Sequence, residues 1–156
     1  MRRKDREVTD FDGIVAIMER CDVCRLALNA DGYPYILPLN FGMAVRDGQV
    51  TLYFHGAMEG TKYALMERDS RASFEMDCAH ELILDDAHKT CTMAYQSVVG
   101  RGRVEPAPDG EKEGALRLLM AHYRREDFPF GRAAVPHTRV FKLVVESMTG
   151  KIRPKK

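Results

Sequence analysis

Val50-Thr-Leu-Tyr-Phe-His-Gly-Ala-Met-Glu-Gly-Thr-Lys62 is the stretch on which the reading of this chain turns. Val50 to His55 is β-branched and aromatic with no breaker inside it, which predicts a strand. Gly56 and Gly60 bracket a short loop, and Thr61 to Glu67 predicts a helix. A strand that runs through a glycine-bearing loop into a helix start presents free backbone N–H groups and the positive end of the helix dipole. That arrangement suits a phosphate. Gly60 lets the backbone approach closely, Thr61 adds a hydroxyl and Lys62 a full positive charge. His55, at the strand's exit, is placed to donate to the same anion. The spacing is not a Walker loop, being one residue short with its last pair reversed, and it is not G-x-G-x-x-G. The same residues also serve an ordinary strand–turn–helix joint with a solvated lysine and a surface histidine.

Upstream, Thr9-Asp-Phe-Asp12 fits a capping box with Thr9 as N-cap. Ile14, Ile17, Met18 and Cys21 follow at i, i+3, i+4 and i+7, so a helix from about Phe11 to Arg20 is expected. Cys24 to Asn29 alternates as a strand, and Asp31-Gly32 signals a hairpin turn. Tyr35 to Phe41 is the partner strand, where Pro38 implies an edge or a bulge. Asp47-Gly48 marks a second hairpin leading into Val50–His55. Downstream, Arg71 to Cys78 reads as a strand and Ala79 to His88 as loop or a short helical piece. Cys91 to Val104 is a long strand interrupted by Gly100 and Gly102, and Pro106 and Pro108 end it. Asp109 caps a helix with Leu116, Leu119, Met120 and Tyr123 on one face. Phe128 to Gly131 is a loop, Thr138 to Glu146 a last strand, and Met148 to Lys156 trails off. Hairpins dominate, and the glycines allow curvature. The expected fold is mainly β, a small antiparallel barrel with flanking helices.

At 156 residues the chain suits one domain, 1–156, with a real core. Lys and Arg number 24 against 23 Asp and Glu, so the whole chain carries no nucleic-acid or anionic-membrane footprint. The clusters Arg2-Arg3-Lys4 and Lys155-Lys156 read as solvated ends. No apolar run reaches membrane-spanning length and no hydrophobic segment follows the N-terminal charges, so a cytoplasmic protein without a signal peptide is expected. Cys21-Asp-Val-Cys24 has the C-x-x-C spacing of redox pairs and half-sites for metal. It straddles a helix end and a strand start, however, and no second C-x-x-C exists. The spacings of Cys78 with His80 and of His88 with Cys91 match no standard zinc finger. Reduced, partly buried thiols and no metal site are expected.

Four segments in this order carry a resemblance: Arg2-Arg-Lys-Asp-Arg6, Pro34-Tyr-Ile-Leu-Pro-Leu-Asn-Phe-Gly42, Tyr53-Phe-His-Gly-Ala57 with Gly60-x-Lys62, and Met93-Ala-Tyr-Gln-Ser-Val-Val-Gly-x-Gly102. Together they resemble the FMN-binding split-barrel proteins related to pyridoxamine 5'-phosphate oxidase, in particular the nitroimidazole-resistance (Nim-like) branch. The resemblance runs from about Arg3 to Lys151. It implies an antiparallel, Greek-key-like split barrel and a homodimer holding two FMN molecules in clefts between subunits. It places His55, Gly60, Thr61 and Lys62 at the FMN phosphate, with Tyr53 and Phe54 on the strand leading there. Pro38, Leu39 and Asn40 would lie along the isoalloxazine. Tyr95, Gln96 and Ser97 fall on the strand this family uses near flavin and dimer interface. Alternation puts Tyr95 and Ser97 on one face and Gln96 on the other, so the three do not all touch one ligand. The chain has no Trp, and its ending Gly150-Lys-Ile-Arg-Pro-Lys-Lys lacks the Trp- and Arg-bearing segment of the parent oxidase, which argues against vitamin B6 oxidation.

The function expected from this resemblance is an FMN-dependent oxidoreductase that reduces nitroaromatic or similar electron-poor small molecules. His55 and Tyr95 are the candidate proton donors. The alternative is a flavin- or haem-binding carrier or sensor without turnover. No dinucleotide-binding motif exists in the chain, so electrons would come from outside or from a donor bound over the flavin.

Overall fold

Asp10, rather than Thr9, starts the first helix. Its carboxylate accepts the Gly13 N–H at 2.7 Å, and with a glycine at that position no side chain reaches back, so a simple N-cap replaces the expected capping box. Glycine at position 13 makes that possible, because a Cβ there would lie 2.4 Å from the capping oxygen. The computed structural model describes residues 3–129 and 131–154; Arg2, Phe130, Lys155 and Lys156, named in the expectations above, lie outside them. A 3₁₀ turn at Lys4–Arg6 leads into the short strand β1 (Glu7–Val8) and helix α1 (Phe11–Met18). Ile14, Ile17, Met18 and Cys21 are all buried, as their spacing requires.

Strands β2 (Cys24–Leu28) and β3 (Tyr35–Leu39) form the first hairpin, and β4 (Gly42–Arg46) and β5 (Gln49–Gly56) the second. Asp47 and Gly48 both adopt positive φ (50° and 75°) between the paired Arg46 and Gln49, the geometry that a two-residue turn demands. β3 pairs only with β2, so Pro38 sits on a sheet edge where its missing N–H costs nothing. Helix α2 (Thr61–Arg68) follows, then β6 (Arg71–Asp85), β7 (Thr90–Pro106), helix α3 (Lys112–His122) after a 3₁₀ turn at Asp109–Glu111, a third 3₁₀ segment at Arg132–His137, and β8 (Arg139–Arg153).

Two strands run well past their expected limits. Residues 79–85, read above as loop or helix, continue β6 past a bulge between Cys78 and Glu81, where Ala79 takes φ 55°. Leu82 and Leu84 point to solvent on this extension, so the segment never shows the one-sided burial that marks a strand in sequence. The tail from Met148, read as trailing off, completes β8. There β8 pairs with β7 on one edge and β1 on the other. Gly150 lies flat beneath Ile14 and Val8, each 3.0 Å from where its Cβ would stand. On α3, Ala115 and Leu119 are the buried positions, while Leu116 and Met120 are half-buried, a face turned slightly from the expected one.

The antiparallel sheet has the order β3-β2-β6-β7-β8-β5-β4, with β1 added to β8. Its edges β3 and β4 do not pair, so the wound sheet stays open as a split barrel. Leu52, Phe54, Phe74, Met76, Phe141 and Leu143 fill the interior together with Ile17 and Met18 from α1. Gly102 fixes the bend of the long β7–β8 ladder. A Cβ there would stand 2.0 Å from the Val144 carbonyl oxygen, and the register shifts between Arg101 and Gly102. Gly102→Ala is therefore expected to destabilise the fold by about 1–3 kcal/mol. Gly110→Ala, with nothing within 4 Å of the new methyl, should stay within about 0.5 kcal/mol. Urea unfolding of the two variants beside the parent chain checks both values.

Candidate functional site

The strand–loop–helix stretch folds as its sequence implies. β5 alternates between core-facing Val50, Leu52 and Phe54 and outward Thr51, Tyr53 and His55. Phe54 is fully buried and stacks on Phe141 at 5.2 Å between ring centroids, which anchors the strand end that carries His55. His55 pairs with Val140 on β8 and is exposed; partial desolvation lowers its pKa from the usual imidazole value, which leaves it a neutral N–H donor at pH 7. Beyond it, Gly60 takes φ 146°, a conformation that L side chains rarely adopt, and no side chain caps α2. The Tyr63 N–H is bonded to the Gly60 carbonyl. The first turn of α2 thus lacks the side-chain oxygen that would otherwise neutralise it.

Lys62 folds back over this loop. Its Nζ stands 3.2 Å from where a Cβ would lie on Gly56 and 3.6 Å from the corresponding point on Gly60. The ammonium also rests 4.4 Å from the Tyr63 ring centroid, and among the described residues no carboxylate pairs with it. Tyr63 is the clamp of the loop: its Oη donates to the Ala57 carbonyl at 2.7 Å, and its ring packs edge-on against Phe141 at 6.0 Å. Arg139, opposite Gly56 on β8, lays its guanidinium 3.9 Å from the centroid of that ring and donates to Glu67 at 3.3 Å. Sequence reading missed both residues. Tyr63 was a helix position without a motif, and Arg139 opens a strand far along the chain.

The remaining candidates divide. The β4–β5 ladder begins at Gly42 opposite Tyr53, and the β3–β4 crossing at Asn40 and Phe41 lies just before it. Tyr123 holds that crossing: its Oη accepts from the Asn40 side chain at 3.1 Å and the Phe41 N–H at 3.3 Å, and donates to the Asp22 carbonyl. Pro38 is exposed and Leu39 half-buried on the β3 edge. Tyr53 turns toward α3, where it lines a cavity of about 570 Å³ with Thr51, Leu118 and Lys142. The side chain of Phe54 is in the core, so only its backbone is open to a ligand.

Tyr95, Gln96 and Ser97 lie elsewhere. Tyr95 pairs with Arg153 at the far end of β8, thirteen residues from the Val140 that pairs with His55, or roughly 40 Å of strand. One chain therefore does not bring Tyr95 and His55 together. Tyr95 sits among cations: a hydrogen bond to Lys151, with Arg6 adding, lowers its phenol pKa. Gln96 faces the other way, accepting from Arg20 at 2.9 and 2.6 Å. Among the described residues no group of three His, Cys, Asp or Glu side chains is placed to hold a metal, and no helix is long and apolar enough to cross a membrane.

A split antiparallel barrel with a cationic, glycine-bearing loop at the start of a peripheral helix defines the class. The chain belongs to the pyridoxamine 5'-phosphate oxidase family, whose model matches residues 10–152. No curated protein resembles the chain closely enough to match. Among solved structures, a candidate 5-nitroimidazole antibiotic resistance protein from Bacteroides thetaiotaomicron is 32% identical, with a TM-score of 0.79, over 94% of this chain and 86% of its own. The flavocytochrome Anf3 from Azotobacter vinelandii is 19% identical (TM-score 0.80; 99% of this chain, 72% of its own). An FAD- and haem-binding protein from Mycobacterium smegmatis is 18% identical (TM-score 0.79; 96% and 74%). At those identities the last two show the fold alone.

The clamp is open to test without any ligand. Tyr63→Phe removes one hydrogen bond from the loop, worth about 0.5–1.5 kcal/mol. Amide exchange over residues 57–60 should quicken while the β7–β8 core strands keep their protection. Unchanged exchange in the loop would show that Tyr63 packs but does not clamp.

Proposed function

We propose that this protein binds FMN with the phosphate at the start of α2, and that it reduces electron-poor small molecules of the 5-nitroimidazole type. One observation carries the reading: the Lys62 ammonium, free of carboxylates among the described residues, hangs over the Gly56–Gly60 loop at an uncapped helix start with His55 alongside. Uncapped N–H groups, a helix dipole and an uncommitted ammonium are what a phosphate dianion recruits, so the residues present fit the group. Lys62 supplies the charge, the first turn of α2 supplies backbone donors, and neutral His55 supplies one N–H. The backbone of Leu39 and Asn40, steadied through Tyr123, is the edge available to a flat heterocycle.

When bound and reduced, flavin supplies hydride to an electron-poor ring. The chain supplies position, exclusion of water and a proton. Tyr95 suits the last role, since Lys151 and Arg6 make its phenol more acidic than usual. Because Tyr95 and the phosphate loop stand at opposite ends of β8, a site containing both takes them from two protomers, which supports a homodimer with flavin at the interface. The likeness to the Bacteroides protein supports the nitroimidazole assignment.

Three outcomes are expected. Lys62→Ala lowers FMN affinity roughly tenfold to a hundredfold, the worth of a charge-assisted hydrogen bond, and leaves riboflavin affinity unchanged. Equal loss for both ligands would remove Lys62 from the phosphate. Sedimentation at micromolar concentration gives twice the chain mass; a monomer that binds FMN tightly rules out the shared site. Under anaerobic conditions, a nitroimidazole reoxidises the reduced, FMN-loaded protein faster than it reoxidises free reduced FMN. Equal rates would leave a flavin or haem carrier as the reading.

A further inference from the structure

Asn40 and Phe41 join β3 to β4 without belonging to either strand, and the end of α3 holds them in place. The Tyr123 hydroxyl oxygen lies 2.6 Å from the Asp22 carbonyl oxygen, 3.1 Å from the Asn40 amide and 3.3 Å from the Phe41 backbone nitrogen. A phenol has one proton and a carbonyl oxygen only accepts, so that proton goes to Asp22. The other two groups must then donate to the hydroxyl. This fixes the Asn40 amide: its nitrogen faces Tyr123, and Oδ1 faces away. Beside it Phe41 is fully buried, its ring centroid 4.1 Å from that of His122, and His122 Nε2 donates to the Cys21 carbonyl at 2.7 Å.

Asn40 itself is exposed, and among the described residues nothing donates to its Oδ1. The segment around it offers acceptors and is short of donors. Pro38 has no N–H, and the Phe41 N–H is committed to Tyr123. The β4–β5 ladder begins at the Gly42–Tyr53 pair, and Asn40 and His55 each lie two residues beyond that pair at the same end of the hairpin.

We propose that Asn40 is a specificity-determining residue whose Oδ1 accepts a hydrogen bond from the imide N–H of an oxidised flavin, and that Tyr123 is the positioning residue that holds the amide in this orientation. The inference rests on the reading of the site as one for FMN. The oxidised isoalloxazine carries acceptors at its bare ring nitrogens and both carbonyls, and a donor only at the imide nitrogen. One acceptor turned the right way therefore selects which edge of the ring faces the protein. An asparagine free to rotate would also turn Nδ2 outward and meet the imide carbonyls instead. With the amide already turned before the ligand arrives, little ordering is left for binding to impose.

FMN and FMN methylated at the imide nitrogen carry the same phosphate, so Lys62 and the start of α2 contribute equally to both. The ratio of their dissociation constants then reports the ring edge alone. In fluorescence titrations with the full chain, FMN is expected to bind roughly tenfold more tightly than its methylated form, the worth of one hydrogen bond. Asn40→Ala, an exposed substitution, should bring the ratio close to one, mainly by weakening FMN. Tyr123→Phe, which frees the amide to turn, should also lower the ratio toward one. A parent chain that binds both flavins equally well would overturn the proposal and leave the FMN site standing, whereas failure to bind either would remove that site and this inference with it. A ratio preserved in Asn40→Ala would take the role from Asn40. If Tyr123→Phe loses thermal stability but keeps the parent ratio, the hydroxyl braces the crossing without setting the amide.

Discussion

The ladder between β7 and β8 is the constraint on which the rest depends. β8 is hydrogen-bonded on both edges over much of its length, to β7 throughout, to β5 over its first half and to β1 near its end. Antiparallel strands of this length twist and coil, and a sheet built on them closes partly on itself. Gly102 allows the coil by letting the Val144 carbonyl come to its α-carbon, and Gly150 allows α1 to seat on the same strand. The end of β5 is therefore fixed by its partner and not by its own short loop. His55 stands opposite Val140 and Gly56 opposite Arg139 because β8 is held from the other side by β7.

This division of labour explains how a small loop can keep an unneutralised helix start. An uncapped first turn and an unpaired ammonium are both unfavourable taken alone, since each leaves a polar group without a protein partner. Here the cost is limited by exposure: Gly60 and Thr61 are open to water, which satisfies them until an anion does. Rigidity comes from beneath, where the Tyr63 ring packs on Phe141 and Arg139 while its hydroxyl holds Ala57. The same stack keeps Lys62 bent over the loop and not extended into solvent.

The sequence was legible where structure is local. Val50 to Glu67 folds as the strand, glycine-bearing turn and helix that its residues announce, and Lys62 bends back over Gly56 and Gly60 within that short stretch. Asp47-Gly48 fixes its hairpin by backbone preference alone. Elsewhere the deciding contact is distant. Thr9 and Asp10 are both good caps, and Gly13 leaves room for the Asp10 carboxylate in the position it takes. The extension of β6 carries its leucines outward, and the tail of β8 carries glycine, serine and threonine where a core strand would carry aliphatics. Neither shows the period that announces a strand. Arg139 lies 76 residues beyond the Tyr63 ring it covers, and no short motif encodes such a pairing.

The surface left by this fold bears on the proposed two-protomer site. Tyr95 and Ser97 share the outward face of β7 with Met93 and Val99, which are 43% and 52% exposed. Leu82 pairs opposite Met93 and Leu84 opposite Cys91 on the adjoining β6, so these apolar side chains continue the same face onto the hairpin. Side chains of this size gain about 1.5–3 kcal/mol each on full burial. Several of them together make a contribution comparable to the freedom lost when two molecules associate. A second copy seated there would cover the stripe and carry its own phosphate loop toward Tyr95. Separating the two halves of the site to opposite ends of β8 would then couple ligand binding to assembly, because neither half encloses a flavin until both are present.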